Sequence, residues 1–202
     1  MNYKLGTRGS RLSLSQTNWV LDELKKTNSS LSFEIEKITT QGDTDTRPLF
    51  IMEQKGIFEK EIDRAVSEKR VDFAVHSMKD VPSTLDSSLT IACVPKRESV
   101  NDVLITNDGF TLDSIPSGST IGSSSLRRAV QISRKRPDLN VKPIRGNIET
   151  RINKVTDGKF DGIVLAQAGI TRLGTNVKFS KLSPDDFPPS PGQGALAIVS
   201  RK

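Results

Sequence analysis

The sequence has few of the residues that mark disulfide-bonded, membrane-spanning or base-stacking proteins. Its 202 residues include one cysteine, Cys93, so neither an internal disulfide nor a cysteine-based zinc site can form. No apolar run approaches the roughly 20 residues of a membrane span, and the N-terminus, MNYKLGTRGS, lacks the apolar core of a secretory signal. Aromatic residues make up 5% and leave little for nucleic-acid bases to stack on. We therefore expect a soluble cytoplasmic protein without nucleic-acid or membrane partners.

Several catalytic motifs are also absent. The sequence contains no HExxH, CxxC, GxSxG or P-loop pattern, and it has one histidine, His76. These absences argue against metalloprotease, zinc, serine-hydrolase and nucleotide-hydrolysing chemistry, and they leave no residue set for a metal site.

Positive charge is present in excess and is concentrated in one region. Thirty lysines and arginines against 24 acidic residues give a net charge of +6. Residues 119–172 contain eleven basic and four acidic residues, a net charge of +7, which leaves −1 for the rest of the chain. Such a region attracts anions. Because aromatic residues are scarce, we favour small carboxylate or phosphate ligands over a nucleic acid.

Short apolar runs alternate with amphipathic helical patterns along the chain, which is typical of an α/β protein with open, mostly parallel sheets. Polar PKRESVN and proline-rich SPDDFPPSPGQG are typical of crossings between two domains. We therefore predict one domain from residues 1–95 and 188–202, and a second from residues 96–187. The predicted strands are 4–7, 32–39, 73–76, 89–94, 103–106, 120–122, 140–144 and 162–166; the predicted helices are 10–25, 57–68, 126–136 and 148–155, and residues 195–199 add a strand or helix to the first domain.

Arginines recur where predicted strands lead into helices. Helix N-termini bind anions, and a guanidinium adds a bidentate donor. At the first junction, Arg8 and Ser10 fit either an anion site or an ordinary helix cap beside a solvated arginine. At the second junction, Ser125, Arg127 and Arg128 fit two alternatives. Arginines at a helix N-terminus are unfavourable beside the helix dipole unless an anion offsets them, which indicates an anion site. The other alternative is a serine cap with the two arginines solvated on opposite sides of the helix.

Further arginines follow at later junctions. Arg145 ends a predicted strand, Arg151 lies on the next helix, and Arg172 follows the last predicted strand. In open α/β sheets such junctions share the crevice at the carboxyl ends of the strands. Convergent arginines there predict a ligand with several carboxylates or phosphates, whereas solvated helix surface charge is the alternative.

The stretch VHSMKDVPS places a carboxylate, Asp80, at the end of an apolar run. Neighbouring positive charge from Lys79 and Arg8 favours its ionised form. Such a carboxylate can stabilise a developing cation or transfer a proton. A site that only binds anions has little use for a carboxylate, so the presence of Asp80 favours a catalytic function. We expect His76 to support the end of the strand.

Together these segments resemble the porphobilinogen deaminase (hydroxymethylbilane synthase) family. The resemblance covers essentially the whole chain, in the family's order and approximate spacing. It rests on TRGSRLSLSQ, KGIFEKEI, VHSMKDVP, GSSSLRR, RGNIETR, GITRLG and PGQGALAI.

The resemblance implies two domains of the periplasmic-binding-protein type with an active site in the cleft between them. It also implies the head-to-tail joining of four porphobilinogen molecules with loss of ammonia. Each substrate carries an acetate and a propionate, so the growing chain is a polyanion. Asp80 would be the catalytic carboxylate that stabilises the cationic azafulvene-like intermediate. Substrate and cofactor would be bound by Arg8, Ser10, Lys55, Ser77, Lys79, Ser125, Arg127, Arg128, Arg145, Arg151 and Arg172.

Two departures from the family pattern affect these expectations. The family usually has a glycine-rich segment before Lys55, where this chain has MEQ. Family members also continue into a third domain whose cysteine holds a dipyrromethane cofactor, and Cys93 does not match that cysteine. We expect the third domain to be absent from this chain or supplied by another chain, with weak or no turnover by these 202 residues, and a monomer. The alternative function is a non-catalytic two-domain binder of small polycarboxylates.

Overall fold

The computed structural model describes residues 1–44 and 58–202, which form two compact units. Within these residues the first unit comprises 1–44, 58–98 and 191–202, and the second comprises 99–190. The chain passes from one unit to the other after residues 98 and 190, each three residues beyond the crossing expected from the sequence. The strands are β1 Asn2–Thr7, β2 Ser32–Lys37, β3 Phe73–Ser77, β4 Leu89–Cys93, β5 Asp102–Thr106, β6 Thr120–Gly122, β7 Asn140–Lys142, β8 Gly162–Ala166, β9 Ser180–Lys181 and β10 Leu196–Arg201; the helices are α1 Arg11–Thr27, α2 Gln41–Thr44, α3 Lys60–Ser67, α4 Leu126–Lys135, α5 Ile148–Thr156 and α6 Gln167–Leu173.

The first unit is built on a five-stranded sheet in the order β2-β1-β3-β10-β4. β1 runs parallel to β2 and β3, whereas β10 runs antiparallel to β3 and β4. Side chains alternate between the faces of a strand. On β3, Ala74 accordingly packs in a cluster with α3 residues, while Val75 packs in a second cluster with Val20 and Leu21 of α1. Both faces of the sheet are therefore covered.

The second unit repeats this plan with the order β7-β6-β8-β5-β9. β6 is parallel to β7 and β8, and β5 is antiparallel to β8 and β9. On β8, Val164 packs with Ile132 of α4, while Ile163 packs with Val155 of α5 and Ile170 of α6. In each described sheet, parallel and antiparallel strand pairs are equal in number. The sheets are therefore mixed, and more of their strand pairs are antiparallel than the sequence predicted.

The predicted elements are found with small shifts at their ends. All eight predicted strands are present, and ALAIV belongs to strand β10. Four short elements among the described residues were missed: helices α2 and α6, strand β9 and a 3-10 turn at Met78–Asp80. None of the helices in the described part of the chain is long and apolar enough to cross a membrane.

Candidate functional site

In the first unit, the 3-10 turn Met78–Asp80 directly follows β3 and presents the side chains of Lys79 and Asp80 at the surface. The N–H of Met78 donates to the carbonyl of Ala195 at 3.0 Å. Gly192 lies against the turn with φ of +71°, and a Cβ there would lie 2.6 Å from Met78 Cγ and 3.1 Å from Lys79 N. The PGQG segment therefore fixes the turn that carries Asp80, and only glycine fits at position 192.

His76 is buried one residue before the end of β3. Its Nε2 lies 3.0 Å from Oδ1 of Asp63 on α3. The pair ties the end of the strand to a helix through a hydrogen bond. His76 therefore supports the strand end beside the turn, as the sequence indicated.

Arg8 follows β1 and binds Asp43 of α2. Its Nε lies 3.1 Å from Asp43 Oδ1, and Nη2 donates to the same oxygen. Burial alone would raise the pKa of Asp43, but hydrogen bonds from Arg8 and Thr40 lower it overall. The guanidinium also lies 4.1 Å above the centre of the Phe58 ring. Arg8 is thus held by a carboxylate and an aromatic face, and is not simply solvated.

Glu59, the residue that precedes α3, is buried, with 4% of its surface exposed. Burial first, and the nearby charge of Asp80 second, raise the pKa of Glu59 to about 8. A neighbouring negative charge and a loss of water both disfavour an ionised carboxyl. Glu59 is therefore largely protonated at neutral pH.

The remaining predicted residues of this unit have structural contacts of their own. Ser10 caps α1 by accepting the N–H of Ser13 at 3.2 Å, as the capping alternative predicted. Ser77 accepts the side-chain amide of Gln16 at 2.9 Å. Lys55 lies outside the described residues.

In the second unit, three strand-to-helix junctions lie at one edge of the sheet. Because β6 is parallel to both β7 and β8, the carboxyl ends of all three point the same way. α4 follows β6, α5 follows β7, and α6 follows β8. The predicted arginines of this unit, which lie on these helices or just before α5, are Arg127, Arg128, Arg145, Arg151 and Arg172.

Two of these arginines converge on Asp102, the first residue of β5, which has no exposed surface. Arg127 Nη2 lies 2.8 Å from Asp102 Oδ2, and Arg128 donates to Oδ1 through Nε at 3.0 Å and Nη2 at 2.8 Å. Ser125 caps α4 by accepting the N–H of Arg128. The alternative of two arginines solvated on opposite sides is therefore wrong. Two positive charges and one negative charge leave the group with a net charge of +1.

Arg151 on α5 extends this positive region. Burial first, and then the positive charges of Arg128 and Arg145, lower the pKa of Arg151 to about 10. Its Nε donates to the carbonyl of Gly146 at 2.7 Å. Gly146 has φ of +115°, and a Cβ would lie 2.7 Å from Thr150 Cγ2, so glycine is needed there. Three arginines therefore lie close enough to repel one another, and an anion would relieve that repulsion.

Four acidic residues of these clusters were missed from the sequence: Asp43, Glu59, Asp63 and Asp102. The sequence contained a pattern that could have identified two of them, Glu59 and Asp102. Glu59 lies three residues before buried Ile62 and seven before buried Val66, which places it on the apolar face of α3. Asp102 opens the apolar run DVLIT, where a charged residue needs a partner.

The described residues contain no group of three or more histidine, cysteine or acidic side chains arranged to hold a metal ion. Cys93 ends the edge strand β4 with its thiol exposed.

Solved structures with the same architecture have low sequence identity. The regulatory domain of MexT, a transcriptional activator in Pseudomonas aeruginosa, is 10% identical with a TM-score of 0.55, covering 99% of this chain and 88% of that one. A periplasmic binding protein of Salmonella typhimurium with high arginine specificity is 14% identical with a TM-score of 0.52, covering 100% and 85%. At these identities the likeness concerns the fold, which is the two-domain periplasmic-binding-protein type.

Curated relatives are far closer in sequence. A probable porphobilinogen deaminase of Nitrosopumilus maritimus is 68% identical over 201 residues, which is all of this chain and 65% of the relative. The porphobilinogen deaminase of Listeria innocua is 48% identical, covering 98% of this chain and 66% of the relative. The chain thus spans slightly under two thirds of the length of these relatives.

A family model described as "Porphobilinogen deaminase, dipyromethane cofactor binding domain" matches residues 3–202. This match covers nearly the whole chain and agrees with the names of the relatives. The chain belongs to the porphobilinogen deaminase family.

Proposed function

We propose that this chain is the substrate-binding and catalytic part of a porphobilinogen deaminase, an enzyme that joins four porphobilinogen molecules head to tail with loss of ammonia. The observation that carries the proposal is the arginine group at the carboxyl edge of the second sheet, where burial first, and then the positive charges of Arg128 and Arg145, lower the pKa of Arg151. Positive charges held together by the fold favour a polyanion. Porphobilinogen, with two carboxylates per molecule, has that character.

The first unit would supply the chemistry through Asp80. When the bond between the aminomethyl carbon and its nitrogen breaks, ammonia leaves with the bonding electrons and the carbon becomes cationic. An exposed carboxylate on a rigid turn can stabilise that cation without moving. The turn that carries Asp80 is held in this way, since Gly192 lies against Met78 and Lys79 and the Ala195 carbonyl accepts the N–H of Met78. Lys79, on the same turn, would bind a substrate carboxylate.

The same residues fit a dipyrromethane cofactor. Arg145 and Arg151, with Arg128 beside them, would hold its carboxylates, since burial first, and then the positive charges of Arg128 and Arg145, lower the pKa of Arg151. Dipyrromethane, when bound, supplies the pyrrole carbon to which the first substrate is joined. Arg8, Ser10, Lys55, Ser77, Ser125, Arg127 and Arg172 complete the proposed set of binding residues.

Arg127, Arg128 and Arg8 would have a narrower role than Arg145 and Arg151. Arg127 and Arg128 already bind the internal carboxylate of Asp102, and Arg8 binds that of Asp43. A substrate carboxylate would therefore share each of these three arginines with an acid of the chain. We propose that they mainly position neighbouring groups and contribute less binding energy than Arg151.

We further propose that the protein acts in the cytoplasm as a monomer, and that the cysteine that anchors dipyrromethane comes from outside these 202 residues. Cys93 lies on the edge strand β4 of the first unit and does not match the cysteine that holds the cofactor in the family.

Calorimetry with porphobilinogen tests the proposal. The chain should bind it, and Arg151→Gln should weaken binding about tenfold, as expected for one lost charged hydrogen bond of about 1.4 kcal/mol. Arg134→Gln, a solvated position on α4, is the matched control and should bind like the wild type. Binding that is unchanged in Arg151→Gln would contradict the assignment.

Activity separates an enzyme from a non-catalytic polycarboxylate binder. In protein that carries dipyrromethane, Asp80→Ala should abolish ammonia release while porphobilinogen still binds. Ammonia release that persists in Asp80→Ala would show that Asp80 is not the catalytic carboxylate. Binding without ammonia release by wild-type protein that carries dipyrromethane would favour the non-catalytic binder.

A further inference from the structure

The segment between β7 and α5, residues 143–147, carries Arg145 and is neither helix nor strand. A backbone carbonyl outside regular structure still needs a hydrogen-bond partner, from a side chain or from water. Three consecutive carbonyls of this segment, at residues 144, 145 and 146, accept hydrogen bonds from side chains of neighbouring elements. These contacts fix the backbone on both sides of the point where the Arg145 side chain begins.

Each of the three hydrogen bonds comes from a different side chain. Ser124, between β6 and α4, donates its hydroxyl to the carbonyl of Ile144. On α5, Lys154 Nζ donates to the carbonyl of Arg145 at 3.0 Å. Arg151, about one helical turn before Lys154, donates to the next carbonyl along the segment. The segment is therefore held from two sides, and Lys154 holds the peptide that belongs to Arg145 itself.

Both ends of the Lys154 hydrogen bond are anchored in the core of the second unit. Val155, the next residue on α5, has 1% of its surface exposed, and Ile144, the residue before Arg145, has 3%. These two apolar side chains pack in the same cluster. The hydrogen bond therefore joins two pieces of backbone that are already fixed by packing.

Lys154 has a different kind of partner from the arginines of α4. Arg127 and Arg128 bind a buried acid, whereas Lys154 is partly buried and directs its ammonium group at a backbone carbonyl. Ordering a long lysine side chain costs rotamer entropy, which a hydrogen bond from a charged donor offsets. The carbonyl that Lys154 holds belongs to Arg145, a member of the arginine group whose charge acts on Arg151.

We propose that Lys154 is a positioning residue for Arg145: its ammonium group holds the Arg145 carbonyl and so fixes the direction in which the guanidinium side chain leaves the backbone. This inference deepens the proposed function and rests on it, because Arg145 is there a binder of substrate or cofactor carboxylates. A guanidinium that starts from a fixed backbone loses less freedom on binding, so the carboxylate is bound more tightly. Lys154 itself needs no contact with the ligand.

Backbone dynamics test the positioning role without any ligand. In the ¹⁵N-labelled chain, the heteronuclear NOE of the amides of residues 145 and 146 should be as high as in α5. It should fall in Lys154→Met, which keeps a long side chain and a good helix former but removes the donor. Lys154→Arg, which can donate to the same carbonyl, should restore the wild-type value. NOE values that are unchanged in Lys154→Met would overturn the proposal.

Calorimetry with porphobilinogen measures the effect on binding. Lys154→Met should weaken binding about fivefold, as expected for the loss of one hydrogen bond. Lys159→Met removes an exposed positive charge from the loop after α5, and this matched control should bind like the wild type. In the Arg145→Gln background, Lys154→Met should cause no further loss, because Lys154 acts through Arg145. A loss that persists in that background would show a direct or purely structural effect of Lys154 and would overturn the proposal.

The two measurements separate this proposal from the proposed function. If the wild type does not bind porphobilinogen, the proposed function fails, while the NOE values still decide whether Lys154 fixes the backbone of Arg145. If the wild type binds and Lys154→Met binds equally well, the positioning role is wrong and the proposed function stands.

Discussion

Arg127 and Asp102 are joined by a hydrogen bond of 2.8 Å between Nη2 and Oδ2, and the carboxylate of Asp102 has no exposed surface. The same guanidinium donates through Nη1 to the carbonyl of Pro188 at 2.7 Å. α4, β5 and the proline-rich segment therefore meet at one side chain. An arginine selected from the sequence as an anion binder thus also holds its own unit together.

Removal of Asp102 should destabilise the second unit strongly. Asp102→Ala leaves Arg128, which has 7% of its surface exposed, without the acid that neutralises it. Loss of one partner from a buried ion pair costs about 3–5 kcal/mol, whereas an exposed pair contributes about 1 kcal/mol or less. Urea denaturation should show this loss in Asp102→Ala. Asp186→Ala, which breaks the exposed pair with Lys135, is the control, and equal losses in both variants would contradict the prediction.

The strands and their buried faces could be predicted because they depend on local patterns. The apolar run that ends at His76 and the run ALAIV both form strands that alternate between two cores. The partners of the charged side chains could not be predicted in this way. Arg8 binds Asp43, 35 positions away, and Arg128 binds Asp102, 26 positions away. Such pairs depend on how elements pack, which no short stretch of sequence specifies.

The same limit applies to Glu59. Helical spacing places it on the buried face of α3, but its raised pKa depends first on how deeply the packed elements bury it and then on Asp80, which follows a different element. The Lys79–Asp80 pair could be identified from sequence because a strand end is local. Glu59 could not be identified in this way, because its environment depends on how α3 packs against β3.

Gly192→Ala should disturb the Asp80 turn beyond the cost of backbone strain. Gly192 and Gly109 both have positive φ, +71° and +74°, so alanine is strained at each by roughly 1 kcal/mol. Only at Gly192 would the new methyl group meet the turn, at 2.6 Å from Met78 Cγ; nothing lies within 4 Å at Gly109. We expect a larger stability loss in Gly192→Ala, and displaced amide resonances for Lys79 and Asp80. Equal behaviour of the two variants in denaturation and in amide spectra would argue against this role of the PGQG segment.

Cys93 should not carry dipyrromethane. It ends an edge strand of the first unit and does not match the cysteine that holds the cofactor in the family. The intact mass of the purified chain should therefore equal that of the unmodified polypeptide, and Cys93→Ser should bind porphobilinogen like the wild type. An added mass of a dipyrromethane that disappears in Cys93→Ser would reverse this assignment.

The pH dependence of stability should reveal Glu59. A folded-state pKa of about 8, raised from the ordinary 4.5, means that the folded chain binds one proton more than the unfolded chain between these values. Its contribution to stability is therefore complete below about pH 4.5 and is lost as the pH rises to about 8, with a slope of at most about 1.4 kcal/mol per pH unit.

Glu59→Gln keeps a neutral side chain of nearly the same shape and removes the carboxyl group that titrates. The variant should gain stability relative to the wild type steadily from about pH 5 to pH 8, and the difference should level off above that value. Urea denaturation of both proteins at each pH measures the difference. Glu68→Gln, at the exposed end of α3, should follow the wild type throughout. A constant difference between wild type and Glu59→Gln across this range would mean that Glu59 is already ionised in the folded chain.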